Sequence, residues 1–213
     1  LLAATAAANL PPPVAFDGTE LKPELKAAGI RAARARAQGY YLLMFNMRDP
    51  EVGGFEPAKV ALRRAIAMSF DDREWMRTFD QGLGYAQQHL IGPDVVGYDP
   101  AYRNPNAFDP ATANALLDRF GYRRGADGMR ANPDGTPLAV RMIVGTSSTG
   151  RRVAEFMKKS FDRIGVRVEF DTMPPGDRLK RMSTCRHQLT TMDFGGGAPD
   201  GVSAMENFYS KHI

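Results

Sequence analysis

The chain has 213 residues, 43% of them hydrophobic and 24% charged, with Lys plus Arg exceeding Asp plus Glu by 28 to 24. That balance suits an ordinary globular protein with enough core to fold without staples. The small, scattered positive surplus excludes a clustered nucleic-acid face, the single cysteine, Cys185, excludes an internal disulfide, and no apolar run approaches the ~20 residues of a membrane span.

The opening, LLAATAAANLPPPV, is Ala-rich, with neither a basic leader nor a lipid-attachment cysteine, and reads as the tail of a longer polypeptide. Leu21 to Ala28 offers a short helix that Gly29 can cap. The Ala/Arg-rich stretch from Ile30 to Gln38 reads as an extended connector. Tyr40 to Met47 is aromatic and aliphatic without alternation, which predicts a strand buried on both faces. After Asp49-Pro50 and Gly53-Gly54, Pro57 opens a helix whose apolar residues Val60, Leu62, Ala65 and Ile66 recur near helical spacing. Asp71 and Glu74 make a capping-box-like pair for a second helix that buries Trp75, Met76 and Phe79.

Tyr85 to Asn106 is a loop punctuated by glycine and proline. Asp109 is a favourable N-cap with Pro110 behind it, and the helix runs to Gly121. Asp127-Gly128 and Asn132 to Gly135 flank a short hairpin-like piece. Leu138 to Gly145 predicts a strand, Thr149 to Ile164 an amphipathic helix and Val166 to Asp171 a second strand, an order that favours parallel pairing through a crossover. Pro175 and Asp177 introduce a helix to about Arg186. Leu189 to Phe194 is the last strand, running into Gly195-Gly196-Gly197. The pattern is α/β, without internal repeats.

The run YYLLMFNM followed by VALRRAIAMSFDDREW resembles the signature of the bacterial extracellular solute-binding proteins of family 5, which serve peptide, nickel and oligopeptide ABC importers. Phe45, Asn46, Leu62, Arg63, Ala65, Ile66, Phe70, Asp71 and Arg73 carry the match. Further pieces follow in order: Gly97 to Pro100; Asp109-Pro110 with Ala113, Leu116, Leu117 and Gly121-Tyr122; Asp134 to Leu138; Arg152 to Glu169; and the closing MDFGGGAPDG. The resemblance implies a periplasmic-binding-protein-like type II lobe, a mixed sheet flanked by helices, as part of an incomplete clamshell. Residues 1–39 would be the tail of the first lobe with the hinge, and 40–213 the second, ligand-binding lobe.

It further implies a non-enzymatic protein with no cofactor and no metal. Such a protein binds a peptide or another small solute between two lobes and delivers it to the permease subunits of an ABC transporter. It would be periplasmic or extracellular, monomeric when intact, and tied to the membrane only through the permease or a lipid anchor. A lone half-clamshell encloses nothing, so these residues by themselves are expected to bind ligand poorly.

In peptide-binding relatives the loop after the last strand presents an aromatic ring and a carboxylate that pairs with the peptide amino group, a charge-assisted bond. Phe194 falls at the aromatic position, but Gly196 stands where the acid belongs, leaving Asp193 and Asp200 as the nearest carboxylates. Gly195 and Gly196 would let backbone approach a ligand closely, and Gln87 and Gln88 could hydrogen-bond an extended ligand. Asp200-Gly201 reads equally well as a turn pair. Asn46 is expected to hold local backbone. The departure at Gly196 leaves nickel chelates, sugars, haem and opines open beside peptides.

Two other readings stand beside this one. Cys185 and His187, two apart, could form the thiol–imidazole pair of a hydrolase, although no orienting acid lies near them in sequence. The lobe could instead be a protein-interaction module without a small-molecule ligand. The three histidines, His89, His187 and His212, lack the spacing of a helical zinc pair.

Overall fold

In the computed structural model, residues 15–17, 20–32, 39–80, 84–195, 202–206 and 209 are described. A short antiparallel pair, β1 (Phe16–Asp17) and β2 (Glu20–Leu21), leads into helix α1 (Pro23–Ala27). The rest is built on β3 (Gly39–Phe45), β4 (Ala139–Gly145), β5 (Arg167–Met173) and β6 (Leu189–Gly195). Around them lie α2 (Pro57–Met68), α3 (Asp72–Phe79), α4 (Pro110–Arg119), α5 (Ser148–Ile164) and α6 (Pro175–Ser183), with the short α7 (Val202–Glu206) at the end.

The four strands form one mixed sheet in the order β3-β6-β4-β5. Strand β4 runs parallel to β5 along its whole length, as the β-α-β pattern predicts. The chain then crosses back through α6, so that β6 lies parallel to β4 on its other side. Strand β3 is antiparallel to β6, from Gly39↔Gly195 to Phe45↔Leu189. Only Leu189 and Thr190 of β6 register with β4. Beyond Thr190, β6 keeps β3 as its strand partner, and the two continue as a ribbon.

The core lies between one sheet face and helices α2, α4 and α5. Alternate residues Val140, Met142 and Val144 of β4 meet Phe156, Met157, Phe161 and Ile164 of α5, joined by Leu62 and Ile66 of α2 and Leu117 of α4. Each such side chain contributes about 1.5–3 kcal/mol on leaving water. Local signals set the helix ends, at Asp71 and Asp109 as the sequence suggests and at Ser147 and Gly165 where it named no cap. Asp71 accepts from the Glu74 amide at 3.0 Å, Asp109 from Thr112 at 3.0 Å and Ser147 from Gly150 at 3.1 Å. Gly165 closes α5 at φ +68°, where an added Cβ would come within 2.7 Å of the Gly128 carbonyl.

Two expectations need correction. Strand β3 is not buried on both faces: it is an edge of the described sheet, exposed at Gly39 and half-buried from Tyr40 to Phe45. Tyr41, Leu43 and Phe45 pack on the core while Tyr40, Leu42 and Met44 alternate to the far side. Helix α6 stops at Ser183, short of Arg186, because Cys185 takes a left-handed φ of +53° that a continuing helix forbids.

A buried arginine ties α4, α5 and the hairpin-like segment together. Arg130, 3% exposed, donates from Nε to the Ile164 carbonyl at 2.7 Å and from Nη2 to Asn114 Oδ1 at 2.9 Å. Its Nη1 donates to Asp118 and to the Tyr122 carbonyl.

Candidate functional site

The last strand places Asp193, Phe194 and Gly195 at the Gly39–Gly195 end of the β3–β6 ribbon. Phe194 registers with Tyr40, and their rings stack at 5.2 Å with an interplanar angle of 20°. Asp193 registers with Tyr41, one step along and therefore on the opposite face. The two neighbours in sequence thus look to different sides of the ribbon. Gly195, paired with Gly39, ends the described strand. Gly196 and Asp200 lie outside the described residues.

On the core side, an aromatic stack leads out to Asp193. Trp75 is packed edge-on by Phe156 at 5.1 Å, and stacks with Phe79 at 4.1 Å and Tyr41 at 4.7 Å. The Arg152 guanidinium lies 5.0 Å over Phe79 and donates to the Thr78 carbonyl near the end of α3. Burial pushes the Tyr41 hydroxyl up to about 12, with Asp193 adding to the rise, while a hydrogen bond with Thr191 and the charge of Arg178 oppose it. The phenol therefore stays protonated at any physiological pH.

Asp80, the C-cap of α3, comes close enough for its carboxyl to feel Asp193. Its pKa is raised, first by burial and then by that like charge. The C-terminal end of a helix dipole is also a poor place for an anion. Asp193 thus links two polar groups in a corner beside the aromatic wall: the Asp80 carboxyl on one side and the Tyr41 hydroxyl, which Arg178 also reaches, on the other. Among the described residues neither carboxylate has an ion-pair partner. Such a corner favours an ammonium group on an apolar body.

Gln87 and Gln88 sit apart from this corner in their hydrogen bonding. Gln87 donates to the Leu90 carbonyl at 3.0 Å, and Gln88 accepts from the Asn104 amide at 3.0 Å. Both bonds tie down the loop's own backbone. Asn46 holds backbone as expected, donating to the carbonyls of Cys185 at 3.0 Å and His187 at 2.8 Å. Among the described residues no hydrogen bond joins Cys185 to His187, and no group of three His, Cys, Asp or Glu side chains could hold a metal ion. None of the described helices is long and apolar enough to cross a membrane.

Sequence reasoning missed Asp80, Tyr41 and Thr191. Asp80 follows Phe79 at the end of an amphipathic helix, but only the register of β3 on β6 brings Asp193 to it.

The model of the bacterial extracellular solute-binding proteins, family 5 middle, matches residues 5–213. The chain belongs to that family. It is 28% identical over 148 residues to the dipeptide-binding protein of Escherichia coli (strain K12), covering 68% of this chain and 26% of that protein. It is 30% identical over 146 residues to di/tripeptide-binding protein 2 of Pseudomonas aeruginosa (strain UCBPP-PA14), covering 65% and 25%. Among solved structures it resembles NikA from Brucella suis in complex with Fe(III)-EDTA, with a TM-score of 0.64 at 26% identity over 78% of this chain and 33% of that one. Lactococcal OppA, closed on an endogenous peptide, gives a TM-score of 0.68 at 19% identity over 83% and 35%. The fold is periplasmic-binding-protein-like type II, a mixed α/β unit. The chain spans about a quarter of the length of the curated relatives it matches.

Proposed function

We propose that this chain is part of the substrate-binding component of an ABC importer that binds peptides or similar small solutes between two lobes and hands them to the permease. Residues 40–213 form the second lobe, and 1–39 belong to the first lobe and hinge. The observation that carries the reading is the ribbon end, where Asp193 acts on both the Tyr41 hydroxyl and Asp80, and Phe194 stacks on Tyr40. These groups suit a ligand with a protonated amine and an apolar body, and the peptide-binding relatives support that class. From the sequence, Gly195, Gly196 and Asp200 are further candidates for ligand contact, the glycines through their backbone and Asp200 through its carboxylate. Gln87 and Gln88 are candidates for a separate contact with an extended ligand, from the loop they brace.

The protein does not alter its ligand. Contacts to both lobes stabilise the closed state, and the permease reads that shift in the hinge equilibrium. It works as a monomer in the periplasm or outside the cell, held near the membrane by the permease or a lipid anchor.

Calorimetry with di- and tripeptides tests this, on a polypeptide carrying these residues together with both lobes. Asp193→Asn should weaken binding by about 10–100-fold, the worth of one charge-assisted hydrogen bond. The 213 residues alone should bind at least as poorly as that variant. Unchanged affinity in Asp193→Asn would remove the ribbon end from the site, and release of cleaved peptide would overturn the transport reading.

A further inference from the structure

The other end of the β3–β6 ribbon is closed by a latch. Asn46, 8% exposed, follows the last residue of β3. Its side chain bonds the Cys185 and His187 carbonyls, its amide donates to the Gln188 carbonyl at 2.8 Å, and its Oδ1 accepts from the Arg48 amide at 3.1 Å. One asparagine thus pins the loop between α6 and β6 to the end of β3.

His187 lies inside this latch. Its Nδ1 is buried and has no hydrogen-bond partner, while the ring bonds the backbone of Arg181 in α6. Asp49, in the loop after β3, is the charged side chain that acts on the ring from a neighbouring element.

We propose that His187 makes the latch acid-sensitive, so that protonating its ring loosens the α6–β6 loop from Asn46 and frays β3 from β6. A neutral imidazole can leave Nδ1 bare, since that nitrogen is then an acceptor without a donor. The imidazolium must place a charged N–H in the same closed space, where no acceptor waits. Burial lowers the affinity of His187 for its proton, outweighing the Arg181 bond and the charge of Asp49. The sign follows by linkage. With the native pKa below the ordinary 6.5, the ring's contribution is complete above about 6.5 and is lost as pH falls through the native value. Each unit of depression corresponds to about a tenfold change in the opening equilibrium.

Two measurements on the 213-residue chain test this. Proton NMR of the histidine rings, with His187 assigned from the His187→Gln spectrum, should show His187 titrating below 6.5. Amide exchange at Asn46 and Leu189 is then compared between the native chain and His187→Gln at matched pH. Acidification from about pH 7 to 5 should raise native opening there above that of the variant, with the Val140 and Met142 amides changing equally in both. A His187 pKa at or above the ordinary value, or equal responses at the latch, would overturn the proposal. Should His187→Gln not fold, assignment by sequential NMR lets the native titration decide alone.

Discussion

Around Arg130, each guanidinium nitrogen finds an acceptor within the chain: Ile164, Asp118, Tyr122 and Asn114 surround it and leave the side chain almost no exposure. The ribbon end has the reverse character. Asp80 and Asp193 push against one another, and among the described residues no cation is bonded to either. The first region completes its polar chemistry internally and so fixes how α4, α5 and the hairpin-like segment meet. The second leaves a charge deficit and a half-buried aromatic pair at a place with one strand partner. Saturated networks rigidify a fold, and unsaturated corners are where a ligand can add what is missing.

The strongest way to break this contrast is at the saturated region. Arg130→Leu removes a buried cation and strands the carbonyls of Ile164 and Tyr122. It should cost about 3–5 kcal/mol of unfolding free energy, the scale for breaking a buried charged network. Arg130→Lys should recover only part of that, because an ammonium cannot reproduce the fork. Urea unfolding followed by Trp75 fluorescence measures both. A loss below about 1 kcal/mol would mean that this joint is no tighter than a surface ion pair.

A smaller effect is expected at the latch. Asn46→Ala leaves the Cys185 and His187 carbonyls without their donor and should cost about 2–3 kcal/mol. The loss should appear in amide exchange at the β3–β6 register before it reaches β4 and β5. Uniform loosening of the whole sheet would instead place the latch within the global unfolding unit.

Much of this contrast was legible only in part from sequence. Helix starts at Asp71, Asp109 and Pro110 could be read because capping acts within a single turn of chain. The parallel β4–α5–β5 unit could be read because its apolar periods switch between helix and strand. Strand β3 was misread because aromatic and aliphatic residues fill both of its faces, and a strand half-buried on each side gives the same unbroken apolar run as one enclosed in a sheet. Arg130 carried no signal, being one arginine among many until the Asp127-Gly128 turn folds it inward. Phe194 and Asp193 were singled out together, yet adjacent strand residues face apart. Asp80 joins the corner through long-range register alone.

The smallest stability effect sharpens the contrast most. Tyr40 stacks on Phe194 on the face away from the core, so the stacking lost in Tyr40→Ala should cost about 0.5–1.5 kcal/mol, the worth of one aromatic pair. Tyr41→Ala, by comparison, would also disrupt the Trp75 stack and the Thr191 hydrogen bond. If the ribbon end is a recognition surface, Tyr40→Ala should leave the urea midpoint nearly in place and weaken peptide binding by the intact two-lobed protein about tenfold, since a stacking contact of about 1.4 kcal/mol corresponds to that factor. A large fall in stability with unchanged affinity would show that the Tyr40–Phe194 pair holds the ribbon together, and the aromatic wall for the ligand would then have to lie on the Tyr41–Trp75 side.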